Sequence, residues 1–306
     1  MEFEESKFSK APEEQDLREE QEIREQMEYG ENVEVRAIFM RHAAKTDTRD
    51  VTGVAPLSEE GREQAREVGR GFVAKEHGIK AYMSPMGRAI ETANLILEEQ
   101  EKKGIRIFKS RIRAGLRGVL GSKEWTRELT RRTDENLPKN YEELTGEERQ
   151  ETLAKAEDIA LDWWLSFGEK KFDEETPSPE QVAAGVALLV DTYIRMADRL
   201  YSKSKVHFLN ATHKSATEPF LKEVLLRKVK DEEGNERIVR GFDRLEEIGG
   251  GLDLAEFWDI TVTTDEKGAK IVKLHLRGQE YDIDRRRLDE LAQFAREVEK
   301  RAKIMA

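Results

Sequence analysis

The stretch AIFMRHAAKTD, residues 37–47, runs an apolar segment directly into Arg41 and His42. With the residues before it, this segment forms VEVRAIFM (33–40), a run rich in β-branched and aromatic residues that predicts a β-strand. The strand therefore ends in a strong cation followed by one of the five histidines of the chain. In open α/β sheets ligands bind beyond the carboxyl ends of the strands, so this end is a candidate site.

Further strands and helices alternate outward from this stretch. The segments IKAYMS (79–84), IRIFKSRI (105–112) and KVHFLNAT (205–212) predict strands, and amphipathic stretches that begin at Ser58 and Ser178 predict helices. Strands separated by helices of ten or more residues imply right-handed crossovers and a parallel sheet covered on both faces. We therefore predict an α/β fold, a three-layer α/β/α sandwich with a mostly parallel sheet.

The domain organisation follows from charge and periodicity. Residues 1–30 carry eleven acidic and four basic side chains and thus −7 of the net charge of −11. We therefore predict an acidic N-terminal extension over residues 1–32 and a single domain over residues 33–306. From about residue 115 to 177 the periodicity loosens into charged, helix-prone segments, which predict a helical insertion that acts as a cap over the carboxyl ends of the strands.

Three predicted strands end in polar residues of unusual type. The first strand ends in Arg41 and His42, and the second ends in Ser84, with Arg88 four residues later. The strand over residues 205–212 ends in His213. Because the carboxyl ends of parallel strands meet at one edge of a sheet, two histidines and two arginines are expected to lie together.

This set of side chains suits chemistry at phosphorus. A neutral imidazole is a good nucleophile, and guanidinium groups neutralise the phosphoryl oxygens while negative charge develops on them. Arginine also stays charged and binds phosphate through its planar fork. The predicted reaction is phosphoryl transfer through a phosphohistidine, which requires neither a metal nor a cofactor.

Composition excludes several other classes of protein and site. The chain has no cysteine, which excludes disulfides, thiolate nucleophiles and cysteine-rich zinc sites. It has no apolar run near twenty residues, and its acidic N-terminus differs from a secretory leader, so a cytoplasmic protein without a membrane partner is expected. The charge balance shows no nucleic-acid footprint.

The same residues resemble the motifs of the histidine phosphatase superfamily, whose fold is that of phosphoglycerate mutase. The segments appear in the superfamily's order: MRHAAKTD (40–47), PLSEEGREQA (56–65), SPMGRAIETA (84–93) and ATHKSATEP (211–219). The first is similar to a subgroup with Arg-His-Ala in place of Arg-His-Gly. Ala44 departs from that subgroup, which often has Glu at this position.

The resemblance implies a role for each matching residue. His42 corresponds to the nucleophile, Arg41 and Arg88 to the phosphate clamp, and His213 to a second imidazole that holds phosphoryl oxygens. Further residues expected to bind the substrate are Ser84, Lys45 and Arg49.

The general acid of the superfamily has no clear counterpart. One usual position falls on Gly118 in GLRG (115–118), and the other on Lys214 directly after His213. Glu124 and Glu128 come next along the chain, and Glu124 is our prediction for the acid. Absence of an acid would instead favour a substrate whose leaving group departs easily.

The resemblance implies a metal-independent phosphatase that hydrolyses a phosphomonoester or a phosphoramidate. The expected partner is a phosphorylated small molecule or a phosphoprotein, and the oligomeric state stays open. Two alternatives remain: a protein that binds phosphate or phosphoproteins with impaired turnover, and a phosphoglycerate-type mutase. The continuation RHAAK argues against the mutase, because phosphoglycerate mutases continue Arg-His-Gly-Glu-Ser.

Overall fold

The computed structural model describes residues 28–47, 50, 54–72, 78–231 and 233–305. Within these residues the strands are β1 (Glu34–Arg41), β2 (Ile79–Met83), β3 (Ile107–Ile112), β4 (Lys205–Thr212), β5 (Leu225–Lys230), β6 (Glu236–Arg240), β7 (Phe257–Thr264), β8 (Lys270–Leu276) and β9 (Gln279–Ile283). They form one sheet in the order β3-β2-β4-β1-β7-β8-β9-β5-β6. The helices are α1 (Glu59–Gly71), α2 (Gly87–Lys102), α3 (Lys123–Glu135), α4 (Gly146–Leu165), α5 (Pro179–Met196), α6 (Lys214–Val224) and α7 (Arg285–Met305).

The sheet is mixed. β1 pairs in parallel with β4, and β2 pairs in parallel with β4 and β3. The other five pairings among the described strands are antiparallel. The predicted α/β fold with a central sheet and helices is confirmed, but the prediction of a mostly parallel sheet is wrong. Only β1 to β4 alternate with α-helices. No α-helix separates the described strands β5 to β9, and short connections join the antiparallel neighbours β5 and β6, β7 and β8, and β8 and β9.

Both faces of the sheet pack against helices, because successive side chains of a strand point to opposite sides. Ile38 of β1 belongs to a cluster with Ile96 of α2. Its neighbour Phe39 belongs to a separate cluster that includes Tyr193 of α5. Burial of each such large apolar side chain stabilises the fold by about 1.5–3 kcal/mol. The two cores hold the parallel strands, and therefore their carboxyl ends, in one position.

Serine side chains cap the N-termini of several helices, and the sequence predicts two of these caps. Ser58 Oγ accepts a hydrogen bond from the Gly61 backbone N–H at the start of α1. Ser178 and Gln181 form a capping box at the start of α5. A cap of this kind stabilises a helix by about 1 kcal/mol.

Between β3 and α5 the chain forms α3 and α4, two helices that pack on each other. The indole rings of Trp125 and Trp164 meet edge to face with centroids 6.1 Å apart, and both residues belong to the larger core cluster. The helical character of this segment agrees with the sequence. That it is an insertion into one domain of residues 33–306 stays a prediction.

The predicted acidic extension lies almost entirely outside the described residues, which begin at residue 28. The first of them contact the body of the protein: the Gly30 N–H donates to the Leu200 carbonyl at 3.0 Å. In the described part of the chain, each helix is too short or too polar to span a membrane.

Candidate active site

The carboxyl ends of β1, β2 and β4 meet at one edge of the sheet. Arg41, the last residue of β1, pairs with Thr212 of β4, so His42 and His213 follow side by side. The imidazole centroids of these histidines are 5.1 Å apart. The structure therefore brings together two imidazoles that are 171 positions apart in the sequence.

The surroundings of His42 determine its tautomer. Its Nδ1 lies 2.8 Å from the Ala43 carbonyl oxygen, and its Nε2 lies 2.9 Å from Arg88 Nε. A carbonyl only accepts and a guanidinium only donates, so Nδ1 carries the proton and Nε2 keeps its lone pair. Burial, and then the charges of His213, Arg41 and Arg88, hold the pKa of His42 well below its usual range. Its imidazole is therefore neutral at neutral pH.

His213 is held by Ser84, with its Nε2 at 2.8 Å from Ser84 Oγ. Its Nδ1 is buried and has no hydrogen-bond partner among the described residues. Burial, followed by the charges of Arg88 and Arg41, lowers the pKa of His213 well below its usual range. An unpartnered nitrogen at this position is available to a ligand of the site.

Arg41 is positioned by the loop before β7. Its Nη1 donates to the Leu252 carbonyl at 2.7 Å, and the Leu252 N–H donates at 2.8 Å to the carboxyl group of Glu218, which is fully buried. Burial raises the pKa of Glu218 to about 7. Arg41 Nη2 lies 3.5 Å from Glu157 Oε2, and its buried Nε has no partner among the described residues. Part of this guanidinium is therefore free for an anion.

Arg88 completes the cationic group from the first turn of α2. Besides its contact with His42, its Nη1 forms an ion pair with Asp50 at 3.1 Å, and both side chains are less than a tenth exposed. Lys45 Nζ donates to the Asp50 carbonyl at 2.5 Å. Burial lowers the pKa of Lys45 to about 8. Arg49, the other predicted cation, lies outside the described residues.

These groups line a cavity of about 160 Å³. The sheet-edge group, by which we mean Arg41, His42, Lys45, Arg88 and His213, forms one side of it. Residues of α3 and α4 form another part of its lining. Ser84 does not line this cavity but contacts it through His213. Within the described residues there is no group of three or more His, Asp or Glu side chains that could hold a metal ion.

The predicted acids do not reach this cavity. Neither Glu124 nor Glu128 is among the residues that line it. Glu128 instead pairs with Arg131 and Arg132, and the hydrogen bonds from Arg131 lower its pKa to about 2. The carboxyl groups that do line the cavity are those of Asp50, Asp134 and Glu157.

At the position where the superfamily often has its acid, this chain has Gly118, which packs closely against His213. A Cβ atom at Gly118 would lie 3.0 Å from His213 Cγ and 3.2 Å from Ser215 Oγ. The adjacent Val119 N–H donates to Ser215 Oγ at 3.1 Å. The chain therefore packs its backbone directly against His213 at this position.

Sequence reasoning missed Glu157, although a helical pattern marks it. Leu153, Glu157 and Leu161 are spaced four residues apart on α4, and all three line the cavity. Residues at this spacing share one face of a helix. The pattern identifies the face only when it is known that α4 lies over the sheet edge, which the sequence does not reveal.

Residues 37–152 match the family model of the histidine phosphatase superfamily (branch 1). The resemblance to the histidine phosphatase superfamily is confirmed. The segment that matches the histidine phosphatase model includes Arg41, His42 and Arg88 but ends before His213. The fold, rather than that segment, adds the second imidazole to the site.

Several solved structures are similar to this chain at low identity, and three represent them. A phosphoglycerate mutase from Bacillus anthracis str. Sterne is 18% identical, with 79% of this chain and 93% of that chain covered and a TM-score of 0.46. A mycobacterial glucosyl-3-phosphoglycerate phosphatase is 15% identical, with 79% and 98% covered and a TM-score of 0.45. A phosphoserine phosphatase from Entamoeba histolytica is 13% identical, with 83% and 99% covered and a TM-score of 0.42. No curated protein sequence matches the chain. These likenesses are too distant to assign a substrate.

Proposed function

We propose that the protein is a phosphatase that hydrolyses a phosphomonoester or a phosphoramidate through a covalent phosphohistidine at His42. The observation that supports this most strongly is the state of His42: a neutral imidazole with its Nε2 lone pair at the cavity. Two arginines and a second imidazole surround it, as in-line attack on a phosphate dianion requires.

In the first step, His42 Nε2 attacks the phosphorus atom, and the bond from phosphorus to the leaving group breaks as the P–N bond forms. Arg88 Nε, which contacts Nε2 in the free protein, turns to a phosphoryl oxygen. The free donors of Arg41 and Nδ1 of His213 hold the other oxygens, so charge that develops in the transition state meets fixed donors.

The departing oxygen or nitrogen requires a proton. We propose Glu157 for this role in place of Glu124, because Glu157 lines the cavity and lies 3.5 Å from Arg41. In the second step, a water molecule gives a proton to the Glu157 carboxylate while the water oxygen attacks phosphorus. The P–N bond then breaks, its electron pair returns to Nε2, and inorganic phosphate leaves.

The test is to trap the phosphoenzyme on p-nitrophenyl phosphate. The wild type should carry acid-labile phosphate and release p-nitrophenol. The His42→Ala variant should carry none and lose at least about three orders of magnitude in kcat, because the nucleophile is missing. The matched control is His275→Ala, a histidine that pairs with Asp259 away from the cavity, and it should behave as the wild type does.

Three other results would contradict this function. If His42→Ala turned over substrate at the wild-type rate, His42 would not be the nucleophile. If the wild type retained phosphorylated ligands but formed neither phosphoenzyme nor free phosphate, it would be a binding protein. Transfer of the label to a second position of the same substrate, without net release, would indicate a mutase.

A further inference from the structure

We propose that Glu218 is a positioning residue for Arg41 and acts on it through the backbone of Leu252. This inference rests on the proposed phosphatase function and deepens it, because Arg41 is one of the two arginines proposed to hold the phosphoryl oxygens. It comes from residues 251 and 252, which precede β7 and do not line the cavity. We call these two residues the anchor segment.

The first residue of the anchor segment, Gly251, is held on both of its backbone polar groups by charged side chains. Its N–H donates to Asp158 Oδ2 of α4 at 2.9 Å, and its carbonyl accepts from Arg277 Nη2 at 3.0 Å. A Cβ atom here would lie 2.8 Å from Asp158 Oδ1 and 2.8 Å from Lys214 Cε. These two side chains form an ion pair at 2.6 Å, so the backbone packs against a fixed group.

The second residue, Leu252, is held in the same way. Its N–H donates to Glu218 Oε1 of α6 at 2.8 Å, and its carbonyl accepts from Arg41 Nη1 at 2.7 Å. Leu252 is 2% exposed and Glu218 is fully buried. One residue therefore connects the Glu218 carboxyl group to the Arg41 guanidinium, and a shift of its backbone displaces the acceptor of Arg41.

The position of the Arg41 guanidinium depends on this acceptor. Its hydrogen bond to the Leu252 carbonyl is short, at 2.7 Å, whereas its ion pair with Glu157 is longer, at 3.5 Å. Its buried Nε has no partner among the described residues. A phosphate clamp must be held in its productive geometry by neighbouring groups, because a misplacement of about 1 Å can lower the rate by about 10².

The partners of Glu218 indicate which substitutions separate its hydrogen bond from its charge. Its carboxyl group accepts from two neutral donors, the Leu252 N–H and the Thr217 hydroxyl at 2.7 Å. Glutamine keeps an acceptor for the Leu252 N–H, and its amide N–H can donate to the Thr217 hydroxyl oxygen. Leucine removes the acceptor and leaves the buried Leu252 N–H without a partner.

The experiment measures kcat/KM for p-nitrophenyl phosphate and the Kd of inorganic phosphate by calorimetry. Glu218→Leu should lower kcat/KM by about tenfold or more and raise the Kd by about fivefold or more, because Arg41 loses its fixed position. Glu218→Gln should stay within about threefold of the wild type in both constants. If Glu218→Leu does not fold, Glu218→Asp replaces it, since its shorter carboxyl group draws back from the Leu252 N–H.

The matched control is Gln100→Leu at the other end of α2. It removes a fully buried amide that donates to the Gly69 and Phe72 carbonyls, away from the cavity. This variant should lower the free energy of unfolding but change neither kcat/KM nor the Kd. It thereby separates a loss of stability from a displaced guanidinium.

A double-mutant cycle tests whether Glu218 acts through Arg41. Arg41→Ala should lower kcat/KM by about 10²–10³. Addition of Glu218→Leu to Arg41→Ala should lower it by less than about twofold further, because the residue that Glu218 positions is already absent. A merely structural role would instead give losses that multiply.

The possible failures are distinguishable. Losses that multiply in the double variant, a Glu218→Gln variant as impaired as Glu218→Leu, or equal losses in Gln100→Leu would overturn the role of Glu218 while the phosphatase stands. If the wild type formed no phosphoenzyme and released no phosphate, the proposed function would fail. The Kd of inorganic phosphate requires no turnover, so it would still decide whether Glu218 positions Arg41.

Discussion

The two sides of the cavity are built in different ways. On the sheet edge, Arg41, His42 and His213 are each less than a tenth exposed and are held by hydrogen bonds of 2.7–2.9 Å. On the helical side, α3 and α4 are held by packing, with the Trp125 and Trp164 rings edge to face, and half of their cavity-lining residues are apolar. Directed hydrogen bonds hold individual polar atoms in place, whereas apolar packing sets the shape of the cavity. Under the proposed function, the sheet edge holds the reacting groups, and the helices shape the space around them.

The largest effect at the sheet edge is expected from a change of Arg88, which contacts both His42 and Asp50. Arg88→Ala should lower kcat by about 10²–10³, because one transition-state donor is lost. Arg88→Lys should recover only part of this loss, since lysine keeps the charge but lacks the planar fork. Steady-state kinetics on p-nitrophenyl phosphate measures both effects.

The control for this pair is Arg62→Ala. Arg62 pairs with Glu91 of the same helix α2 but does not line the cavity. If Arg88→Ala lost no more activity than Arg62→Ala, the sheet edge would not carry the reaction.

Glu157 is the point where the two sides meet, because it belongs to α4 and contacts Arg41. Glu157→Gln should lower kcat/KM for phenyl phosphate by about 10² as a general acid is lost, but change kcat/KM for p-nitrophenyl phosphate only a few-fold, because p-nitrophenolate departs without a proton. This constant covers the steps up to release of the leaving group, so the role of Glu157 in the second step does not enter it. The comparison of the two esters is the measurement.

Glu124→Gln is the matched variant on α3. It should leave both rates unchanged, since Glu124 does not line the cavity. The reverse pattern, with a leaving-group dependence only in Glu124→Gln, would restore the acid that the sequence predicted.

The smallest expected effect is a pH dependence set by Lys45. Its pKa of about 8 means that it is a cation below pH 8 and loses its charge above, so kcat/KM should fall by up to about tenfold between pH 8 and 9. The lowered pKa values of His42 and His213 keep both imidazoles neutral as pH falls from 8 to 6.5. No loss of kcat/KM is therefore expected over this pH range. Lys45→Arg should abolish the alkaline fall, and a fall that persists in this variant would assign it to another group.

Sequence reasoning succeeded where the pattern was local. The strand that ends in Arg41 and His42, and the serine caps of α1 and α5, follow from residues that are neighbours in the chain. The parallel arrangement of β1, β2 and β4 also follows, because helices separate these strands.

Sequence reasoning failed where long-range strand pairing decided the topology of the sheet. β7 pairs antiparallel with β1 on the side opposite β4. No local pattern specifies which strand pairs with that side of β1. The sequence points to Glu124 as the acid because it follows β3 in the chain, and that role stays a prediction. The packing of α4 near the sheet edge brings a different carboxyl group, that of Glu157, to the cavity.

Local sequence specifies the groups that carry the proposed reaction: an imidazole after a strand, a guanidinium before it, and their counterparts in two later segments. Strand ends are local features, and the carboxyl ends of parallel strands must meet. Three features come from the tertiary structure alone: the tautomer of His42, the carboxyl group beside Arg41, and the apolar residues that α3 and α4 bring to the cavity. These depend on which surfaces pack together, and packing is a property of distant residues that hydrophobic burial selects as a whole.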